Sequence, residues 1–388
     1  MSNPISDYLQ ERIDANDFPS AVYLVAEKGE IVFQDALGFA VVEPERIPAT
    51  MDTIYDLASL TKPLVTGLLA NLLIEKDVLR LNDRVSEYFR EFDTRRKTWI
   101  RILNLLTHTS GFKSWLPFYF FTSNETITGE QISTIIADML LASQPYDKVI
   151  YSDLNFLVLQ RLIEDKYYKK INKIASAVIF EPLGLTDTYF NPPSELKPRI
   201  AASEKGNEYE KHTCIELGYI KPPSSAGETD TNAIRNPHSA FRNQVIWGEV
   251  HDGNAYFMGG FAGHAGLFST AEEVFKIAQE FLPNYTTLLK PETCELFSSN
   301  FTPGLNEARS IAFQLAATPE STAGSKMSPQ SFGHLGFTGT SLWIDPVKER
   351  IFILLTNRTH AHPLPFVNIN SVRRRFHDLA NDLLDEKN

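Results

Sequence analysis

The clearest strand-forming runs of this chain sit at its two ends, and that placement restricts the fold more than any other feature. Near the start, Ala21-Val22-Tyr23-Leu24-Val25-Ala26 and Ile31-Val32-Phe33 flank Glu27-Lys28-Gly29-Glu30, a hairpin signal, and Gly38-Phe39-Ala40 continues the second run. Near the end, Phe332 to Thr340 leads into Ser341-Leu342-Trp343-Ile344, and after Asp345-Pro346 comes Ile351 to Thr356: two or three further adjacent strands. The economical solution joins both ends into one antiparallel sheet covered by terminal helices. Those helices are expected at 5–16, where Ile5, Leu9 and Ile13 step by four, and at about 368–385. The expected class is α/β in the α+β sense: an antiparallel sheet flanked by helices, plus a mostly helical second lobe. One domain is expected over 1–388, with the sheet lobe at about 1–84 and 226–388 and the helical lobe at about 85–225. A cleft between lobes is a natural ligand site.

The middle of the chain reads as helices and loops. Val85–Phe89 is a short helix, and Thr98 to Gly111 runs a helix into a loop. Tyr151-Ser152-Asp153 enters a helix whose apolar face is Leu154, Leu157, Val158 and Leu162. Residues 186–246, rich in Pro, Gly, Ser and Asn, are expected to form a long irregular excursion of the kind that borders a site. Gly248 to Ser269 is glycine-dense, with His251 and His264 inside it and His238 upstream. Thr270 to Phe281 is a helix capped by Ser269 or Thr270, with Glu272 and Glu273 in its first turn.

Composition narrows the function classes. The 388 residues are 43% hydrophobic and 22% charged, ordinary for a globular protein able to bury a large core. The net charge of −11 argues against nucleic acid or an anionic membrane as partner. Two cysteines, Cys214 and Cys294, are too few for a Cys-based metal site, and nothing demands that they pair. Met1 to Asp7 lacks a basic segment followed by an apolar run, and no stretch reaches the ~18 apolar residues of a membrane span. A cytoplasmic location is expected, an exported mature form being the alternative. No cofactor or metal is expected, and oligomeric state stays open.

The chemistry centres on Asp56-Leu57-Ala58-Ser59-Leu60-Thr61-Lys62-Pro63-Leu64. If helix begins near Ser59, its hydroxyl and the Lys62 amine project from one side of the first turn, beside backbone N–H groups without helical partners. That combination supplies a nucleophile, a proton carrier and half of an oxyanion hole. Ser-x-x-Lys also occurs at Ser110/Lys113 and Ser194/Lys197, but Gly111 follows the first at once, and Pro192, Pro193 and Pro198 surround the second. Only Ser59 leads into a long apolar helical run, Leu64 to Ile74. Tyr151 and Asp153 offer a phenol and a carboxylate on one loop, although Tyr189-Phe190-Asn191 fits a similar pattern. His334-Leu335-Gly336 offers an imidazole beside a residue without a side chain, where substrate backbone could approach. His251-Asp252-Gly253 and His264-Ala265-Gly266 match that pattern too.

The order Ser-x-x-Lys, Tyr-x-Asp, His-x-Gly resembles the class C β-lactamase superfamily: class C β-lactamases, family VIII esterases, DD-peptidases and D-aminopeptidases. The likeness covers nearly the whole chain. It includes Asn104-Leu105-Leu106-Thr107-His108-Thr109-Ser110-Gly111, Ala262 to Ala271, and Gly336-Phe337-Thr338-Gly339-Thr340 continuing to Leu355-Thr356-Asn357-Arg358. Gly248 to Tyr256 resembles a branch linked to cell-wall fragments. The resemblance implies a β-lactamase/transpeptidase-like fold. It also implies a serine hydrolase that acts through an acyl-enzyme on ester or amide bonds, with weak β-lactamase activity. Its substrate would be a small ester, a peptide or a cell-wall fragment. An acyltransferase and a non-turning-over penicillin- or peptide-binding module are the alternatives.

In that reading Ser59 attacks, and Lys62 and Tyr151 carry protons as one titrating unit. The Phe337 N–H joins that of Ser59 around the oxyanion. Asp153 stands where the family often has Asn, and is expected beside Lys62 or as a cap on the Leu154 helix. His334 stands where β-lactamases carry Lys; it would orient substrate or bind its carboxylate, charged below a pKa near ~6.5. His251, Asp252 and His264 are expected to line the pocket or hold loops by hydrogen bonds rather than to bind a metal.

Overall fold

The computed structural model describes residues 3–122, 126–220 and 241–387. His238 lies outside them. Among the described residues, ten strands form two sheets: β1 (Ser20–Glu27), β2 (Glu30–Val41), β3 (Ile47–Pro48), β4 (Tyr55–Asp56), β5 (Tyr189–Phe190), β6 (Leu267–Ser269), β7 (Gln314–Leu315), β8 (Phe332–Leu335), β9 (Ser341–Asp345) and β10 (Arg350–Thr356). The large sheet runs β3-β2-β1-β10-β9-β8-β7. Its neighbours are antiparallel, with Tyr23 opposite Leu354 and His334 opposite Leu342. The chain's ends therefore meet at its centre, where β1 lies between β2 and β10.

The period-two alternation of side chains divides these central strands between two cores. Ala21, Tyr23, Val25, Phe352 and Leu354 face the terminal helices Pro4–Asp14 and Asn370–Lys387, packing with Ile5, Leu9, Val372 and Phe376. Val22, Leu24, Ile351, Ile353 and Leu355 face the other way, into the large core shared with the helices that follow Ser59. Both faces are covered, so β1 and β10 read as near-continuous apolar runs. Asn357 closes the junction: it accepts from Ser20 Oγ at 2.7 Å and donates to the Ala40 carbonyl at 2.9 Å.

The small sheet, β4-β6-β5, positions the chemistry. Tyr55 pairs with Ser269 and Tyr189 with Phe268, so the segment entering Ser59, the glycine-dense segment and the segment near 190 are laced together. Several elements differ from expectation. β2 is one strand of 12 residues, because pairing with β1 carries the chain through its polar interior. The helix expected to begin at Ser59 is a 3₁₀ turn (Ala58–Leu60), then a wide π-type turn (Lys62–Gly67), and only then regular helix (Leu68–Glu75). The helix expected from Thr98 is confined to Ile102–Leu106. Glu208–Glu216 forms a helix within the excursion read as irregular; only Glu210 and Cys214 are buried along it, so no apolar period announced it. Both cysteines are free and buried. Among the described residues, no helix is long and apolar enough to cross a membrane.

Candidate active site

The turn before Ser59 is held from every side. Ala58 adopts φ of 47°, a left-handed conformation costing an L-residue ~1–2 kcal/mol. Asp56 offsets that cost by accepting the Ala58 N–H at 2.9 Å and the His251 N–H at 2.8 Å. Thr61 Oγ1 donates to the Ala58 carbonyl (2.7 Å), while Thr338 and Thr340 donate to the carbonyls of Asp56 and Leu57. The Ser59 side chain is thereby thrust toward a cavity of 930 Å³. The backbone N–H groups of Ser59 and Phe337 take no hydrogen bond among the described residues.

Lys62 is fully buried, and all three of its ammonium hydrogens have acceptors: Ser59 Oγ at 2.8 Å, Asp153 Oδ1 at 2.7 Å and the His264 carbonyl at 3.2 Å. Burial works against the charge, but the Asp153 carboxylate and the Tyr151 phenol outweigh it, and the lysine pKa is raised. Asp153 makes that ion pair instead of capping its helix, which has no side-chain cap. His264 is set by Gly263, where a Cβ would lie 2.4 Å from the Phe156 carbonyl; only glycine lets the two segments come so close.

Tyr151 is fixed by the helix-to-loop segment 104–111. His108 Nδ1 accepts the Ser152 N–H at 3.1 Å, and its ring packs on that of Tyr151 at 4.6 Å. The Tyr151 ring lies between two cations, Lys62 at 4.9 Å and Arg309 at 5.6 Å. The His334 ring is 5.7 Å away. The site thus brings Ser59, Tyr151, Asp153, His334, Gly336 and Phe337 to one cavity, with Lys62 buried behind Ser59 and bonded to its hydroxyl. Of the other serines, Ser110 is buried and donates to Asn155 at 2.6 Å, and Ser194 bonds Glu195 in a surface 3₁₀ turn. Tyr189 donates to the Thr186 carbonyl and does not line the cavity.

Two roles read from residue type change. Burial, then the charges of Lys62 and Arg309, hold the His334 pKa well below the ordinary value of ~6.5, which favours the neutral ring across neutral pH. Its Nδ1 donates to the Leu335 carbonyl at 2.9 Å, leaving a lone pair on Nε2, which has no partner among the described residues. A neutral His334 offers Nε2 as a hydrogen-bond acceptor, which suits orienting substrate more than binding its carboxylate. At Gly336, a Cβ would lie 2.0 Å from Thr340 Oγ1 and 2.6 Å from the Leu57 carbonyl. Glycine is needed there so that β8 can close on the Ser59 turn.

This neutrality gives a test. With Glu210→Gln removing the cavity carboxyl that burial pushes up to about 7, KM for nitrocefin and for p-nitrophenyl butyrate should follow parallel curves between about pH 5.5 and 8.5, since no imidazolium is lost in that range. A selective rise in KM for the carboxylate-bearing substrate near pH 6.5 would restore the charged reading.

The cavity also holds residues no motif announced. Arg358 and Arg373 stand on one wall, and among the described residues neither makes an ion pair; burial, then Arg358, pushes Arg373 down to about 9. Arg358 lies over the Phe337 ring at 5.1 Å, and Tyr209 packs on that ring at 4.5 Å. On another wall Glu210 accepts the Gly253 N–H (2.7 Å) and the Tyr119 hydroxyl (3.0 Å). Burial and the Asp252 charge raise its pKa to about 7. Glu204 meets His251 at 2.7 Å, and Asp252 meets His264 at 3.0 Å. Asp153, Asp252 and His264 bring ligand atoms within 4.8 Å of one another, the kind of set that could hold a metal. The cation Asp153 faces is the Lys62 ammonium.

A sheet of joined chain ends, a helical flank, and a serine and buried lysine between them are the frame of a serine hydrolase. The chain matches the Beta-lactamase family over residues 5–373 and belongs to it. The resemblance read from the motifs is thus confirmed. A relative from Escherichia coli (strain K12), named "Putative D-alanyl-D-alanine carboxypeptidase", is 30% identical over 384 residues, covering 92% of this chain and 82% of that protein. Among solved structures, EstCE1, described as a hydrolase with promiscuous acyltransferase activity, has a TM-score of 0.71 at 20% identity over 97% of each chain. The octameric penicillin-binding protein homologue from Pyrococcus abyssi has a TM-score of 0.70 at 18% identity, over 98% of this chain and 76% of that one. A class C beta lactamase has a TM-score of 0.67 at 15% identity, over 98% and 96%. At these identities the structures speak for the fold alone.

Proposed function

We propose that the protein hydrolyses ester or amide bonds through an acyl-enzyme on Ser59, and that its own substrate is a carboxylate-bearing peptide or cell-wall fragment. The carrying observation is the 2.8 Å contact from the Lys62 ammonium to the Ser59 hydroxyl at the cavity floor. An ammonium with three acceptors has no lone pair to offer. Lys62 therefore enters the reaction charged, holding Ser59 Oγ in place, and the proton path runs through Lys62 and Tyr151 as one unit. Ser59 Oγ attacks the carbonyl, the oxyanion settles between the N–H groups of Ser59 and Phe337, and its collapse breaks the bond to the leaving alcohol or amine, which departs with the serine proton relayed through the Lys62–Tyr151 pair. His334 Nε2 accepts an N–H of the substrate. Water then releases the acid.

The substrate class rests on Arg358 and Arg373. A buried guanidinium, Arg373, and a half-buried one, Arg358, without a carboxylate are costly, and an anionic substrate would compensate them. The carboxypeptidase naming of the Escherichia coli relative points the same way. A second reading, acyl transfer to an alcohol or amine, differs only in the acceptor, and EstCE1 carries that activity in its description.

The test is intact mass over time after exposure to an activated ester. A mass increase that decays in water supports hydrolysis. Faster decay with added alcohol, yielding a new ester, supports transfer. A permanent increase means a trap, and no increase defeats the Ser59 assignment.

A further inference from the structure

We infer that Asp252 is a positioning residue for this reaction: it stands as a second carboxylate beside Lys62 and, through His264, fixes the carbonyl that receives the third Lys62 hydrogen. The inference rests on the Ser59–Lys62 reading above.

Asp252 belongs to a clamped loop. The His251 carbonyl accepts from Arg242 at 2.6 Å and from Asn207 at 3.1 Å, and the Gly253 N–H is held by Glu210 at 2.7 Å. The His251 N–H goes to Asp56, the same carboxylate that holds Ala58 beside Ser59. From this loop, Asp252 Oδ1 reaches the Ala255 N–H at 2.8 Å and His264 Nε2 at 3.0 Å. His264 is 1% exposed, and its carbonyl lies 3.2 Å from Lys62 Nζ. Gly263, one residue earlier, is held by Thr66 (2.6 Å) and Gln160 (2.8 Å). The Asp252–His264 bridge therefore ties two rigid loops together on the rim of the lysine.

The electrostatics run in the same sense. Asp252 lies within 4.8 Å of the Asp153 and His264 ligand atoms, and its pKa is held below the ordinary value; burial opposes this, but His264 and Lys62 outweigh it. Lys62 is also faced by Asp153 and Tyr151 from the loop and helix at 151–167, by His108 from the segment at 104–111 and by His334 from β8. Both histidines are held neutral, so the ammonium is favoured first by Asp153 and then by the Tyr151 phenol, and Asp252, whose carboxylate Lys62 stabilises in turn, adds its field from the other side. One carboxylate pairs with Lys62 directly; the other has no bond to it and can act only through its field and through His264.

The expected result follows. A charged Lys62 fails only when it loses its proton, and two carboxylates keep that event above the ordinary ~10.4 of lysine. Wild-type kcat/KM for a neutral p-nitrophenyl ester, corrected for background hydrolysis, should hold to about pH 10. Asp252→Asn should move that alkaline limb down by about one pH unit and lower kcat about tenfold, with KM changed less than about twofold. Asp252→Glu, which keeps the charge, should leave the limb in place. Asp252→Ser keeps a cap for the Ala255 N–H while removing the charge, and repeats the shift should the Asn variant fail to fold. An unmoved limb in the charge-removing variants, or a loss confined to KM, overturns the inference even if activity falls. Ser59→Ala separates the two levels: turnover retained there defeats the underlying reading, whereas a dead Ser59→Ala beside an unmoved Asp252→Asn profile defeats only the role of Asp252.

Discussion

Ser59→Ala should lower turnover of p-nitrophenyl acetate or butyrate by about 10⁴-fold or more, the scale of losing a nucleophile for which no neighbour can substitute. The fold should survive. Among the described residues the hydrogen bond to Ser59 Oγ comes from Lys62, which keeps Asp153 and the His264 carbonyl. One such bond is worth about 1 kcal/mol. The other two Ser-x-x-Lys serines make the comparison sharp. Ser194 sits in a surface turn, and its alanine variant should match wild type in rate and melting temperature. Ser110 is buried, accepts the Phe112 N–H and donates to Asn155, which touches His108 behind Tyr151. Its alanine variant should lose about 1–2 kcal/mol of stability and remain an active enzyme. Wild-type-like turnover in Ser59→Ala, or an acyl adduct mapped to another serine, would refute the assignment.

Lys62→Met and Tyr151→Phe should each cost about 10²–10⁴ in kcat/KM, and the double variant about as much as the worse single. The reason is geometric. The Tyr151 ring lies 4.9 Å from the Lys62 ammonium, Lys62 bonds the Ser59 hydroxyl and Tyr151 lines the same cavity as Ser59, so each is useful only while the other is present. The two should differ in stability. Tyr151→Phe keeps the ring that packs on His108 and His334 and should melt near the wild-type temperature. Lys62→Met keeps the buried volume but leaves Asp153 and Asp252 facing each other without their cation, at a cost of about 3–5 kcal/mol. Strict multiplicativity of the two rate losses would mean independent roles and would break the shared proton path.

The chemistry-bearing segments were legible for local reasons. Ser59 stood out because, of three Ser-x-x-Lys sequences, it alone preceded an apolar helical run. Tyr151 and Asp153 showed as polar residues opening an amphipathic helix, and the outer strands showed through composition and turn residues. The buried contacts at 263 and 336 that only glycine permits were visible as glycines, but their reason was not, since it lies mainly in the Phe156 and Leu57 carbonyls, over about 100 and 270 residues away in the chain.

What the sequence determined by itself was the set of elements with local periodicity: the end strands, the terminal helices, the Ser59 segment and the order of the three motifs. Only the tertiary structure decided which groups share an environment. It made a 3₁₀ and a π-type turn where a regular helix was expected, because Asp56, Thr61, Thr338 and Thr340 bind that backbone from elsewhere. It made His334 neutral, because burial and the charges of Lys62 and Arg309 set its pKa, and residue type cannot report either. It brought Glu210, Asp252, Arg309, Arg358 and Arg373 to the cavity from segments without a shared pattern. Periodicity and capping act within a turn or a strand, so they can be read along a chain; charge and desolvation act through space, and their outcome exists only once the chain has folded.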